Sequence, residues 1–147
     1  MPLNFGRPRV KNSNSDPVKR TADGRVFDSR HEMKMYEALK AVMSEYPGVP
    51  WWLQPAFELV PAFEMGGKKM LGMRISADFL VGPGRAHRSD PILPEHLVID
   101  AKGMLTETFV LRRKLFYYTY RHPYHCVKKA DELVSLVRNH MATYYGR

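Results

Sequence analysis

The chain has a single cysteine, Cys126, so no internal disulfide can form and a secreted, cross-linked framework is excluded. No apolar run approaches the roughly 18 residues that a membrane-spanning helix requires. The opening MPLNFGRPRV has no apolar signal-peptide core, so a cytoplasmic location, and no membrane partner, is expected. Internal repeats and low-complexity tracts are also missing. Acidic residues are scarce in one place above all. Between Thr108 and Ala130 there is none, while Arg112, Arg113, Lys114, Arg121, Lys128 and Lys129 supply six cations. Across all 147 residues, 23 Lys and Arg face 15 Asp and Glu, a formal charge of +8. Such a surplus points to an anionic partner, nucleic acid first. With 44% hydrophobic residues the chain can bury a core, so a mainly disordered protein is excluded too.

Residues 1–25 are rich in Pro, Asn, Ser, Lys and Arg without an apolar period. They are expected to form a flexible basic arm, with residues 26–147 as a single folded domain. A helix is predicted from Asp28 or Ser29, both good N-cap types, to just before Pro47. Its inward stripe carries Tyr36, Leu39 and Met43, flanked by Met35 and Val42. Glu32 lies on that same stripe, where a carboxylate is costly unless something binds it. WWLQPAFELV reads as a strand, followed by a turn at Gly66-Gly67 and a second strand from about Lys69 to Val81. In that strand Met73, Ile75, Ala77, Phe79 and Val81 are expected on one face and Arg74, Ser76 and Asp78 on the other. GPGRAHRSDPILPE is a long Gly/Pro/basic loop, a candidate functional segment. HLVIDAK is a short apolar strand ending at Gly103. A helix over about Thr106–Tyr120, a strand near Tyr124–Lys128 and a C-terminal amphipathic helix complete the order α-β-β-β-α-β-α, an α/β fold with a mixed β-sheet flanked by helices.

The chemistry concentrates in Val98-Ile99-Asp100-Ala101-Lys102. Alternation places Asp100 and Lys102 on one face at the end of an apolar strand, a pattern that packing explains poorly. Asp78 sits in a similar apolar frame. If the two strands are neighbours, Asp78, Asp100 and Lys102 converge, with Glu32 arriving from the helix. Hard carboxylate oxygens suit Mg²⁺, with Mn²⁺ as an alternative, and Mg²⁺ takes phosphate oxygens as further ligands. A lysine beside it can orient water and stabilise phosphoryl charge. The run His122-Pro-Tyr-His125-Cys126 superficially suggests zinc. It lacks a second ligand pair, and a strand would turn His125 and Cys126 to opposite faces. Trp51 and Trp52 are read as packing residues and Gln54 as a supporting amide. Arg112, Arg113 and Lys114 are candidate phosphate contacts.

The set resembles the PD-(D/E)xK nuclease superfamily, with Asp78 as the first acid and Asp100-Ala101-Lys102 as the D-x-K. It is most similar to a small, mostly phage-encoded branch. Phe27-Asp28-Ser29-Arg30-His31-Glu32, Leu53-Gln54-Pro55 with Phe57 and Pro61, Ala77-Asp78-Phe79, Val98–Gly103, and Thr106, Phe109 and Lys114-Leu115-Phe116 carry the match. Ser29-x-x-Glu32 with Leu-Gln-Pro is similar to transposon-end nucleases of the TnsA type, and the layout is similar to phage resolvases of the endonuclease I type. The second acid is Asp100 where Glu is commoner, and Asp78 follows Ala77 rather than Pro. The resemblance implies a restriction-endonuclease-like core. It implies a Mg²⁺-dependent DNA endonuclease acting on branched or nicked duplex, with Glu32, Asp78 and Asp100 holding metal and Lys102 catalytic. A homodimer through the C-terminal helix or the sheet edge near Trp51 and Trp52 would supply two sites to a junction. The alternatives are a non-catalytic nucleic-acid-binding protein or a structural component of a phage DNA-processing complex.

Overall fold

The computed structural model describes residues 17–147. A 3-10 turn over Pro17–Arg20 leads into strands β1 (Thr21–Ala22) and β2 (Arg25–Val26), then helix α1 (Arg30–Met43). Strands β3 (Trp51–Leu53), β4 (Ala56–Val60), β5 (Phe63–Met65), β6 (Lys68–Met70), β7 (Met73–Ser76), β8 (Phe79–Val81) and β9 (Leu97–Ala101) follow. Helix α2 (Glu107–Tyr120), strand β10 (His125–Val127) and helix α3 (Ala130–Tyr144) end the chain. The architecture is the mixed α/β fold read from the sequence.

The first correction concerns the N-terminal arm. Residues 1–16 lie outside the described residues, but 17–25 are folded onto α1. Asp23 and Gly24 both take positive φ, 51° and 72°, which closes a two-residue hairpin between β1 and β2. The Asp23 carboxylate accepts from the Tyr36 hydroxyl and the Lys40 amine, both at 2.8 Å. The Arg20 guanidinium donates to the Phe27 carbonyl. Arg20 and Asp23, which look like part of a solvated run in sequence, thus find partners in the segment that follows.

The α1 start follows its cap: the Ser29 hydroxyl accepts from the Glu32 amide at 3.0 Å. Glu32, Met35, Tyr36, Leu39, Val42 and Met43 are its buried residues, as the stripe predicts. The central sheet has the order β10-β9-β8-β3, with β10 parallel to β9 and the other pairs antiparallel. One face packs on α1 and α3 through Phe79, Val81, Leu97 and Ile99. The other packs through Leu80 and Val98 against Phe57, Ile75, Phe109 and Phe116, so α2 and the β4–β7 ribbon form the opposite layer. On α3, Leu133, Val137 and Met141 are fully buried in the first core. Its apolar stripe is therefore spent inside the protomer. The sheet edge near Trp51 and Trp52 is only the three residues of β3, between Pro50 and Pro55.

The two strands read as continuous, 51–60 and 69–81, are each broken at the same level. The Gln54 amide donates to the Asp78 carbonyl at 2.9 Å and the Ala77 amide to the Pro55 carbonyl at 3.1 Å. Gln54 itself takes a left-handed φ of 54°. On one side of this paired bend β3 joins β8 in the central sheet, and on the other β4 pairs with β7. The bend also corrects the expected face: Ile75 and Ala77 enter the α2-side core, whereas Phe79 and Val81 enter the α1-side core.

The Gly/Pro/basic loop is a packed structural clamp. The Arg85 guanidinium lies 4.6 Å over the Phe57 ring and donates to the carbonyls of Ala56, Arg88 and Asp90. The Asp90 carboxylate accepts from the Ala86 and His87 amides, both at 2.9 Å.

At the start of β9 and β10, far along the strands from Lys102, a cavity of about 270 Å³ is lined by His96, His122, His125 and His140 together with Arg121. His96 accepts from the Leu93 amide at Nδ1 and shares Nε2 with the Pro83 carbonyl, and His140 Nε2 meets the Glu95 carbonyl at 2.7 Å. Burial lowers the proton affinity of His96, His125 and His140, and the mutual repulsion of the histidines adds to it, with Arg85 also opposing His96 and Glu95 favouring its charge. A depressed folded-state value means that the unfolded chain binds these protons first. Stability is therefore intact above the ordinary histidine value of about 6.5 and falls as pH drops through the lowered folded values. Between about pH 7 and about pH 5 the melting temperature of wild type should fall relative to that of His140→Gln, which keeps a donor for the Glu95 carbonyl. A difference between the two that does not change with pH would contradict this.

Candidate active site

The paired bend and the β8–β9 pairing bring the predicted residues to one place. The Asp78 amide donates to the Ile99 carbonyl at 3.2 Å, and the Asp78 carboxylate accepts from the Ala101 amide at 2.7 Å. Asp78 is thereby anchored across the end of β9 by backbone on both sides. Asp100, 2% exposed, accepts from the Tyr124 hydroxyl at 2.8 Å through Oδ2. The Lys102 amine lies 3.5 Å from the same oxygen and 4.7 Å over the Phe109 ring. Lys102 is held in place by its own amide, which donates to the Val127 carbonyl at 3.1 Å.

The Asp78 and Asp100 carboxyl groups are brought together at the end of β9, where Asp100 works against the ionisation of Asp78. Burial is the main cause that raises the Asp78 proton affinity far above the ordinary carboxylate range. The bond to Asp100 and the charges of Asp100 and Glu32 add to it, and the Ala101 amide opposes it. Tyr124 is pushed upward as well, by burial first and then by the Asp100 charge, so it remains a hydrogen-bond donor at any working pH.

Glu32 reaches this pair by charge and is oriented from the bend: the Gln54 side-chain amide donates to its Oε1 at 2.9 Å. Gln54, expected as a supporting amide, is placed as a donor to Glu32. Among the described residues no group of three or more His, Cys, Asp or Glu side chains is clustered closely enough to hold a metal ion. Of the three expected metal-holding acids, Asp78 and Asp100 are brought together at the end of β9, and Glu32 lies near them as a neighbouring charge.

The cationic trio on α2 divides. Lys114 is exposed, while Arg112 and Arg113 are half-buried. Arg113 donates to the Cys126 sulfur at 3.6 Å and lies 5.6 Å over the Phe109 ring, the ring that also carries Lys102. Cys126 is aligned with Asp100 in the β9–β10 register, so Arg113 of α2 lies beside the residue that neighbours Asp100 across the sheet. His125 lies on the histidine cavity and Cys126 beside Arg113, so the two residues serve opposite faces as the strand pattern predicts.

Sequence reasoning missed Tyr124 and the inward placement of Arg113. Both depend on β10 lying parallel to β9, a pairing across α2 that no local pattern reports. The only available signal was a tyrosine two residues before Cys126 in an apolar frame.

Residues 13–133 match the family described as "Protein of unknown function (DUF1064)". The chain belongs to this DUF1064 family. No curated protein and no solved structure matches it. The DUF1064 match spans Glu32, Gln54, Asp78, Asp100, Lys102, Arg113 and Tyr124, every residue of the site.

A carboxyl group with raised folded-state proton affinity stabilises fully only below its unfolded value, about 3.9, and loses that contribution as pH rises. Asp78→Asn keeps an acceptor for the Ala101 amide and removes the forced proton. In metal-free buffer it should melt higher than wild type, with the gap widening from about pH 5 to about pH 8. Tyr124→Phe leaves Asp100 without its buried donor and should lower stability by about 1–3 kcal/mol in denaturant titrations. Wild-type stability of both variants would remove the crowded-acid account.

Proposed function

We propose that this DUF1064 protein is a Mg²⁺-dependent DNA endonuclease that hydrolyses phosphodiester bonds. The observation that carries the reading is the convergence of the Asp78 and Asp100 carboxyl groups at the end of β9, with the Lys102 amine 3.5 Å from Asp100 Oδ2. Two acids crowded together away from water form a place where a cation is stabilised. Two carboxylates fit Mg²⁺, which is ordinarily bound by one or two carboxylates and keeps its remaining positions for water and phosphate oxygens. Held by Asp78 and Asp100, the ion would polarise the phosphodiester and lower the pKa of a bound water.

The chain's own groups have separable tasks. Tyr124 fixes Asp100 in one rotamer, and the Ala101 amide does the same for Asp78. Gln54 orients Glu32, whose negative charge further favours a cation at the pair. Lys102 supplies positive charge as the water oxygen bonds to phosphorus and one phosphorus–oxygen ester bond breaks, the leaving oxygen taking up a proton. Arg113 adds a second positive charge from the β10 side, and the exposed Lys114 is placed for backbone phosphate. The +8 charge supports a polyanionic substrate. Branched or nicked duplex, and a homodimer acting on both strands of a junction, are the finer parts of the proposal and follow the resemblance to resolvases.

Cleavage of labelled four-way junction, flap and linear duplex, each with Mg²⁺ and with EDTA, tests the activity. Lys102→Ala should bind DNA and cut slower by roughly two or more orders of magnitude, the scale of losing one such electrostatic donor. Asp100→Asn should lose cleavage and weaken Mg²⁺ binding measured by calorimetry. Wild-type cutting by Lys102→Ala would sink the site assignment.

The α2 cations separate by their placement. Lys114→Ala should weaken binding to all sequences and reduce the salt slope by about 0.9, one phosphate's worth. Arg113→Ala should mainly reduce the cleavage rate. Equal salt slopes for wild type and Lys114→Ala would return that lysine to solvent.

A further inference from the structure

Beyond the β4–β7 ribbon, β5 and β6 form a separate two-stranded hairpin. Every residue from 61 to 74 is exposed. The turn is built for the purpose: Gly66 and Gly67 both take positive φ, 56° and 75°, as a two-residue hairpin connection demands. At its base, a Cβ on Gly72 would lie 2.7 Å from the Val60 carbonyl oxygen, so only glycine lets the two strands approach there. The hairpin is therefore a specified element and not a loose loop.

Its faces differ. Phe63 pairs with Met70 and Met65 with Lys68, so these four side chains share one face, and Glu64 opposite Lys69 marks the other. Phe63 is 49%, Met65 67% and Met70 39% exposed, with Leu71 at 78% beside them. A two-stranded hairpin is marginal alone in water, and three large apolar side chains on one solvated face add to that cost. Among the described residues no salt bridge engages Lys68 or Lys69 at the tip.

A second copy of the chain fits this face poorly. With side chains of roughly 200 Å² each about half exposed, the three apolar residues offer on the order of 300 Å², against the roughly 800 Å² per partner of a stable interface. It would also bring two chains of +8 together. Duplex DNA fits better: the major groove, about 12 Å wide, admits a two-stranded ribbon. The hairpin is continuous through β4 and β7 with the bend that carries Gln54 and Asp78. Ten residues from Asp78 to Lys68 reach at most about 33 Å, close to one helical turn of duplex.

We propose that the Phe63–Met70 hairpin is a DNA-gripping arm, with Lys68 and Lys69 on backbone phosphates and the Phe63–Met65–Met70 face in the groove, within one turn of the site of cleavage. The inference rests on the proposed endonuclease reading for its substrate, but not for its test. Binding to a fluorescently labelled duplex is measured by anisotropy over a salt series in EDTA, where no cleavage occurs, alongside sedimentation of the free protein. Lys68→Ala/Lys69→Ala should bind roughly tenfold more weakly at low salt, with the slope of log K against log salt smaller by about 1.8, two phosphates' worth. Phe63→Ser/Met65→Ser/Met70→Ser should also weaken binding but leave the slope unchanged. Circular dichroism should show both variants folded, because none of the five side chains enters either core. Wild-type affinity in both variants overturns the arm while leaving cleavage by the Asp78–Asp100 site untouched. A wild-type dimer that becomes monomeric in the serine variant, at unchanged DNA affinity, also overturns it and assigns the face to self-association. Hairpin-dependent binding by a wild-type protein that cuts nothing supports the arm and removes the endonuclease reading. No DNA binding by wild type removes both.

Discussion

Two hydrogen bonds, from the Gln54 amide to the Asp78 carbonyl and from the Ala77 amide to the Pro55 carbonyl, hold the molecule in its working shape. They tie two long strands together at the level where both change sheet. Pro55 has no amide to give to a ladder, so a register break at that point leaves no donor stranded. The left-handed φ of Gln54 costs backbone energy, on the order of 1–3 kcal/mol for a non-glycine residue, and persists because both neighbouring strands over-determine it. The same bend sends Ile75 and Phe79 into different cores, turns the Asp78 carboxyl onto the Ala101 amide and aims the Gln54 side chain at Glu32. Sheet geometry, core partition and site assembly share one origin.

The acids gathered there work against the stability of the fold that gathers them. A buried carboxyl forced to keep a proton is a standing penalty at neutral pH, and the surroundings limit it without removing it. Tyr124 and the Ala101 amide each donate to one member of the pair, and the Lys102 charge lies beside Asp100. The four-stranded sheet and two aromatic-rich cores on either side supply the rigidity that this requires. Phe116 alone is in ring contact with Phe57, Tyr117, Tyr120 and Tyr124. The Tyr124 that completes the Asp100 site is thus also packed into the core beneath α2.

Much of this was legible in the chain because it is written in local pattern. Ser29 before a helical stripe located α1 and put Glu32 on the inward face. Alternation in Val98–Lys102 put Asp100 and Lys102 on one side, and the diglycine at 66–67 marked a hairpin. The rest depends on pairings between distant segments. A bend made by two strands together leaves each strand's alternation looking continuous, so Met73–Val81 read as a single face. Arg20 and Asp23 looked like tail residues because their partners, Phe27, Tyr36 and Lys40, are revealed only when the chain folds back. Tyr124 and Arg113 joined the site through a parallel strand pair that crosses over α2. Periodicity has no access to such pairings.

The central sheet ends on both sides in strands of three residues. β3 runs between Pro50 and Pro55, and β10 begins two residues after Pro123. An edge so short, with prolines that can donate nothing, presents almost no ladder for another strand to copy. The Trp52 indole, its N–H tied to the Gly82 carbonyl at 3.0 Å, holds β3 against the end of β8. A chain that displays an uncovered apolar hairpin therefore has little means of growing into a fibre through its central sheet, whatever its exposed hairpin touches.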